Sequence, residues 1–346
     1  MKWITAVLFL FGLVVLGAVI YYAGTYGILQ ALHALGWNGF AIVCALHVPV
    51  IALLGSAWWS VGRDISGARL WKFIWARYVR ESAAEILPFS QVGGIVIGAR
   101  ALALAGMRML PVAVSMLADL VIELAAKLPY IVTGILLLFA RFPKSSVIEP
   151  AAVGIVIVIV IVIFLAVFHR QIKVRLEEIA LRMARRWPIL GLGGEGDIRP
   201  IFDQVFARDI RIVTALSMHL VAWVMGAFET WLILHLMGLS VDAPEAIVID
   251  SLVAALRTVG FAVPAAIGIQ EGGYVLVCGT LGIDPAMAVA LSLVRRAREF
   301  ALGFPGLGLW QTVEGLRAFT LGRRDQPSRE DASQRVVCGP MQGICV

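Results

Sequence analysis

Asp119, Glu123 and Lys127 stand four residues apart in a largely apolar stretch, 110–140. That spacing puts all three on one helical face, where they can pair, accept a proton or meet a polar head group. Glu229 sits in a second apolar stretch, Asp250, Arg257 and Glu271 in or near a third, and Arg295, Arg296, Arg298 and Glu299 in a fourth. An isolated charge at mid-bilayer costs at least about 2.5–3.5 kcal/mol, so these groups must be paired or wet. Two readings stand. In the structural one, Glu123 pairs with Lys127 and Arg295 with Glu299, Arg257 and Glu271 pin the chain around Pro264, and Arg296 and Arg298 snorkel to a surface. In the functional one, Arg257 or Arg295 receives an anionic or polar lipid head group, with Glu123 and Glu271 as partners or proton acceptors.

No catalytic constellation accompanies these charges. The histidines (His33, His47, His169, His219, His235) have no metal spacing, and His219 and His235 are expected to pack within one helix. Cys44, Cys278, Cys338 and Cys345 show neither metal-ligand nor redox spacing. There is no P-loop, so no nucleotide site in this chain powers transport. No cofactor, no metal and no enzyme activity are expected.

The elements that position the charges follow from composition. Of 346 residues, 60% are hydrophobic and 15% charged, where a soluble domain carries roughly 25% charged residues. This is a polytopic membrane protein. Spanning segments are expected at 4–23 (a retained helix rather than a cleaved signal), 40–61, 110–140, 151–168 and 212–237. The net charge of +6 is concentrated in connections, where it reports orientation rather than nucleic-acid binding. Basic connections at 62–80 and 169–211 and the tail after 316 are expected to be cytoplasmic. Connections 24–39 and 238–245 lack Lys and Arg and are expected outside.

Between Arg80 and Arg108, both placed inside, lies "LPFSQVGGIVIGARALALAG", 87–106. A segment that enters and leaves on one side, about 81–106, is a re-entrant hairpin. Pro88 removes a donor and disfavours a helical Leu87. Gly93 and Gly94 are expected to form the tight turn. Unpaired backbone at membrane depth survives only inside protein or beside water, so the tip should line a cavity. Glu85, Gln91 and Arg100 are the polar candidates there.

A second copy follows in "VPAAIGIQEGGYVLV", 263–277. Gln270-Glu271-Gly272-Gly273 matches Gln91-Val92-Gly93-Gly94, and Pro264 matches Pro88. Downstream, Pro111 precedes Glu123 and Pro129, and Pro285 precedes Glu299 and Pro305, with glutamate and proline six apart in both. The second copy starts outside, so the two are inverted, which is a transporter pattern. Independent glycine–proline breaks in a glycine-rich chain are the alternative. The expected fold is an all-α polytopic membrane protein with two inverted repeats, about 72–140 and 245–318. Each repeat has a re-entrant helical hairpin and a long Pro-kinked helix, within one transmembrane domain, 1–319. Residues 320–346 are expected to be a polar, disordered cytoplasmic tail. The basic segment 169–211 begins with an amphipathic pattern suited to an anionic inner leaflet, or serves as a solvated linker.

"EILPFSQVGGIVIGARAL", "VPAAIGIQEGGYVLVCGTLGI" and "LSLVRRAREFALGFPGLGLWQ" resemble the flippase-like membrane domain family. That family includes the membrane half of the lysylphosphatidylglycerol synthase MprF, and the resemblance leans to its hopanoid-associated HpnL branch. It reaches to about Phe319. It implies a bacterial inner-membrane protein with spanning helices and re-entrant segments that moves or handles lipids; from the distribution of Lys and Arg, both termini are expected in the cytoplasm. Gln91, Gly93 and Gly94, and Gly268, Gln270, Glu271, Gly272 and Gly273, carry the shared motif. The synthase's soluble aminoacyl-transferring half is not in this sequence, which weighs against lipid aminoacylation. The expected partners are membrane lipids, anionic or hopanoid-type, and lipid-biosynthesis or export proteins. A lipid-modifying enzyme, with Glu123 and Glu271 as its acid–base pair, and a scaffold acting through the basic segment are the rival readings.

Overall fold

A computed structural model of the chain describes residues 2–87, 90–141, 178, 199–206, 209–259 and 266–324. Among these the protein is all-helical: α1 (Lys2–Ala23), α2 (Thr25–Ser66), α3 (Leu70–Ile86), α4 (Ser90–Leu104), α5 (Met109–Arg141), α6 (Arg199–Phe206), α7 (Asp209–Leu236), α8 (Ala243–Val259), α9 (Ile269–Thr280) and α10 (Pro285–Arg324). Among the described residues, three helices are long and apolar enough to cross a membrane: Thr25–Ile65, Met109–Arg141 and Asp209–Leu236. The expected span 151–168, the tail beyond 324 and most of the basic segment lie outside the described residues.

Of the connection 24–39, expected outside, residues 25–39 belong to α2, with Gly24 as its non-helical N-cap. Gly36, at φ 62° and ψ 178°, breaks the helix there in a conformation that L side chains avoid. Without basic residues the segment reads as a connection, but Ile28, Ala31 and Leu35 bury one face and hold it helical. Tyr21, Tyr22, Tyr26 and Trp37 around it are exposed, the amphipathic aromatics that suit a membrane–water boundary.

The first hairpin is built differently from its expectation. Its legs are α3 and α4, so it opens at Leu70 rather than near Glu81. The break follows Ile86, where Leu87 turns extended (ψ 144°) ahead of Pro88. Gly93 and Gly94 lie within α4 and form no turn. Gly94 serves contact instead: a Cβ there would fall 2.7 Å from the Arg80 carbonyl oxygen. The Gly94→Leu variant should therefore lose about 1–3 kcal/mol through overpacking against backbone. At Gly273, the matching position in α9, a Cβ would come nearest to the movable Leu256 methyl, at 3.0 Å, with Val253 in ordinary contact, and Gly273→Ala should be tolerated. Thermal unfolding in detergent compares the two.

The second half runs α8, a break, then α9 and α10. Asp242 and Glu245 cap α8 reciprocally, each carboxylate accepting the other's backbone N–H at 2.9 Å. Glu271 reaches back to accept the Gly268 N–H at 2.7 Å and so starts α9. Asp284 accepts the Ala286 N–H at 2.8 Å, and Pro285 opens α10, a position that needs no donor. Pro264 lies outside the described residues.

Two apolar clusters bracket the middle of the bundle. One joins Val43 of α2, Ile131 of α5 and Ile233 of α7 with α8, α9 and α10. The other joins Ala57 of α2, Ile122 of α5 and Ala215 of α7. A neighbouring cluster packs Trp58 edge-on to Phe73 of α3, with Leu102 and Met116. His47, Glu123 and Glu229 fall between the two stretches on α2, α5 and α7. The charges therefore sit part-way along the spanning helices rather than at their ends.

Candidate functional site

α2, α3, α5, α7, α8 and α10 enclose a cavity of about 190 Å³. Beside His47, its wall carries charged groups: Arg77, Glu81, Glu85, Glu123, Glu229, Asp250, Arg257, Arg295, Arg298 and Glu299. Ile51, Leu54, Trp223 and Leu302 supply apolar surface between them.

The charges are knitted into a lattice. On the α3 side, Arg77 donates to Glu123 (2.9 and 3.1 Å), to Asp119 (3.3 Å) and to Glu81 (2.7 and 3.0 Å). Arg80 donates to Asp119 and Glu123, each at 3.0 Å. Asp119 is fully buried, and its other oxygen meets His219 Nε2 at 3.0 Å. On the far side, Asp250 accepts from Tyr130 (2.8 Å) and Thr230 (3.1 Å) and pairs with Arg295 at 2.6 Å. Glu229 pairs with Arg298 and meets His47 Nδ1 at 3.1 Å. Arg257 joins the two sides, donating to Glu85 (3.0 and 3.1 Å) and to Glu299 (3.3 Å).

In this lattice the five guanidiniums of Arg77, Arg80, Arg257, Arg295 and Arg298 meet seven carboxylates: Glu81, Glu85, Asp119, Glu123, Glu229, Asp250 and Glu299. Every one of these guanidiniums is already engaged. Two donors among them, Nε of Arg295 and Nε of Arg298, are buried without a hydrogen-bond acceptor among the described residues.

Of the residues singled out in the sequence, Glu85, Glu123, Arg257, Arg295 and Glu299 line the cavity. Asp119 lies buried beneath it, behind Arg77 and Arg80. Gly93, Gly94, Gly272 and Gly273 are in the second legs of the hairpins, α4 and α9, which contribute no lining residue. The Gln91 side chain lies outside what the structure describes. Arg100 pairs with Glu314 at 2.6 Å, tying α4 to α10 away from the cavity. Gln270 and Glu271 are buried: Gln270 donates to Ser292 at 3.2 Å and Glu271 pairs with Arg296 at 2.8 Å. Glu271 and Glu123 therefore do not face each other across the cavity.

Several pairings differ from those the helical spacing suggested. Glu123 takes Arg77 and Arg80 rather than Lys127, whose ammonium donates to Thr258 (3.0 Å) and lies 4.6 Å from the Trp223 ring centroid. Arg295 and Glu299 choose Asp250 and Arg257 rather than each other. Arg296 and Arg298 do not snorkel; both are buried in ion pairs. A fork that meets carboxylates on neighbouring helices gains more than an exposed i,i+4 pair, which is worth about 0.3–0.5 kcal/mol. His219 packs as expected, whereas His235 is exposed and stacks on Trp231.

Sequence reading missed Arg77, Arg80 and His47. The two arginines fall in the basic connection 62–80 expected to be cytoplasmic, yet both are buried on α3. The spacing of Phe73, Arg77, Arg80 and Ala84, all buried on one face of α3, was the available signal. Nothing local distinguishes His47 from a packed histidine.

The comparisons with known proteins add one match. A family model described as the lysylphosphatidylglycerol synthase TM region matches residues 6–306. Searches of curated proteins and of solved structures found no match.

Proposed function

Since the chain belongs to the lysylphosphatidylglycerol synthase TM region family, of membrane proteins associated with lipid handling, we propose that it is a translocase that carries lipid head groups across the bilayer. The observation that carries this reading is the charged cavity part-way along the spanning helices. Buried charge is expensive in a membrane, and a passive anchor has no use for so much of it. At about 190 Å³ the cavity lies below the roughly 300–1,000 Å³ of pockets that enclose whole drug-sized ligands. It suits a head group in transit while the tails stay in hydrocarbon. The two helix–break–helix units, α3–α4 and α8–α9, each followed by a long helix with an internal proline, support two re-entrant inverted repeats packed around that passage. The bacterial inner membrane, with both termini cytoplasmic, is the proposed setting, and hopanoids are the proposed lipid class beside anionic phospholipids.

The test is reconstitution of the full chain in vesicles holding a trace of head-group-labelled phosphatidylglycerol. Labelled lipid of the inner leaflet should become accessible to an impermeant quencher at least about tenfold faster than in empty vesicles, a barrier lowered by some 1.4 kcal/mol or more. A rate equal to that of empty vesicles would refute the reading. Leaflet-by-leaflet analysis of hopanoids in a strain lacking the protein tests the lipid class.

A further inference from the structure

The lattice has one joint unlike the others. Glu85 lies one residue before the end of α3, and Arg257 two residues before the end of α8. Their ion pair therefore ties together the ends of the first legs of both helix–break–helix units. Glu299 of α10 holds the same guanidinium from a third side. Arg257 is also the most exposed guanidinium of the lattice: its side chain is 26% exposed, against 3% for Arg77, 7% for Arg80, 12% for Arg295 and 8% for Arg298. Glu85 is 23% exposed, so water can solvate both partners when they part. Separating Arg77 from Asp119 would instead strand a charge in a dry interior.

We propose that the Glu85–Arg257 ion pair is the entry latch of the cavity, and that Arg257 exchanges the Glu85 carboxylate for the phosphate of an anionic lipid head group while Glu299 keeps its hold on the guanidinium. Nη2 of Arg257 donates to both Glu85 oxygens, and a guanidinium donates equally well to phosphate oxygens, so one charge-assisted set of hydrogen bonds replaces another while α3 and α8 come apart. Arg257 thereby sets the preference for anionic over zwitterionic head groups. The latch rests on the lipid-passage reading for its cargo, but its opening can be read without any lipid moving.

The two sides of the latch have opposite signatures. Glu85→Gln weakens the hold on Arg257 and leaves the phosphate receiver in place. It should raise the rate of phosphatidylglycerol movement in vesicles at least about threefold, close to 0.65 kcal/mol. Arg257→Gln should lower that rate at least about tenfold and remove the preference for labelled phosphatidylglycerol over labelled phosphatidylethanolamine. An ion pair that only supports the fold would lose activity from either side, so, in a parent that moves lipid, parallel losses, or no change in both, overturn the proposal. Opening is read separately by an impermeant thiol reagent on Leu302→Cys, a position lining the cavity. The parent chain without Leu302→Cys supplies the background from native cysteines. Labelling should be at least about threefold faster when Glu85→Gln is added. Equal labelling overturns the latch even where lipid moves. Faster labelling with no lipid movement in the parent upholds the latch and refutes the lipid-passage reading.

Discussion

Replacing Asp119 by asparagine is expected to cost the folded protein about 3–5 kcal/mol, the usual penalty for breaking a buried ion pair from one side. Asp119 is fully buried, and its two oxygens serve Arg77, Arg80 and His219. Asparagine keeps the shape but removes the negative charge that two guanidiniums share with Glu123 and Glu81. Arg80 is the more dependent of the two, because its hydrogen bonds to carboxylates go to Asp119 and Glu123 alone, whereas Arg77 also holds Glu81. Adding Arg80→Met should therefore recover part of the loss, and a double-mutant cycle should give a coupling of about 0.5–3 kcal/mol. Unfolding midpoints in detergent for the two single variants and the double variant check this. Strictly additive losses would mean that the two residues act independently.

Glu271→Gln is the second large effect, expected at about the same 3–5 kcal/mol, with a different functional consequence. Glu271 is buried; it pairs with Arg296 and accepts the Gly268 N–H at the start of α9. Glutamine can still cap the helix, but Arg296 loses the charge it faces. Because Glu271 does not line the cavity, whatever protein folds should keep its preference among head groups. Thermal unfolding alongside vesicle transport with phosphatidylglycerol and phosphatidylethanolamine separates the two effects. A change of lipid preference at full stability would return Glu271 to the path of the lipid.

The contrast between these residues marks what the sequence could reveal. Length and hydropathy located α5 and α7 to within a few residues, because a spanning helix needs a long apolar run and little else. Pro88 located the end of α3 for a local steric reason that no tertiary contact can cancel. Gly93 and Gly94 misled, because a glycine pair serves a turn and a close helix contact equally well, and only the partner helix decides. Charges on α5 and α10 were visible as anomalies, yet their partners lie on other helices, and sequence spacing reports only neighbours on the same one. Arg77 and Arg80 escaped because counting positive charges assigns every arginine outside a long apolar run to a loop. The cavity itself needs six helices to converge, and no single stretch of sequence encodes it.

Asp250 has a consequence for how the protein is made. Its three partners come from α5, α7 and α10, and Arg295 is the last of them to leave the ribosome. Until α10 arrives, Asp250 and Glu229 are acids in transmembrane surroundings without the cations that neutralise them. The interior charge of the bundle is therefore balanced only after its last long helix has joined the others.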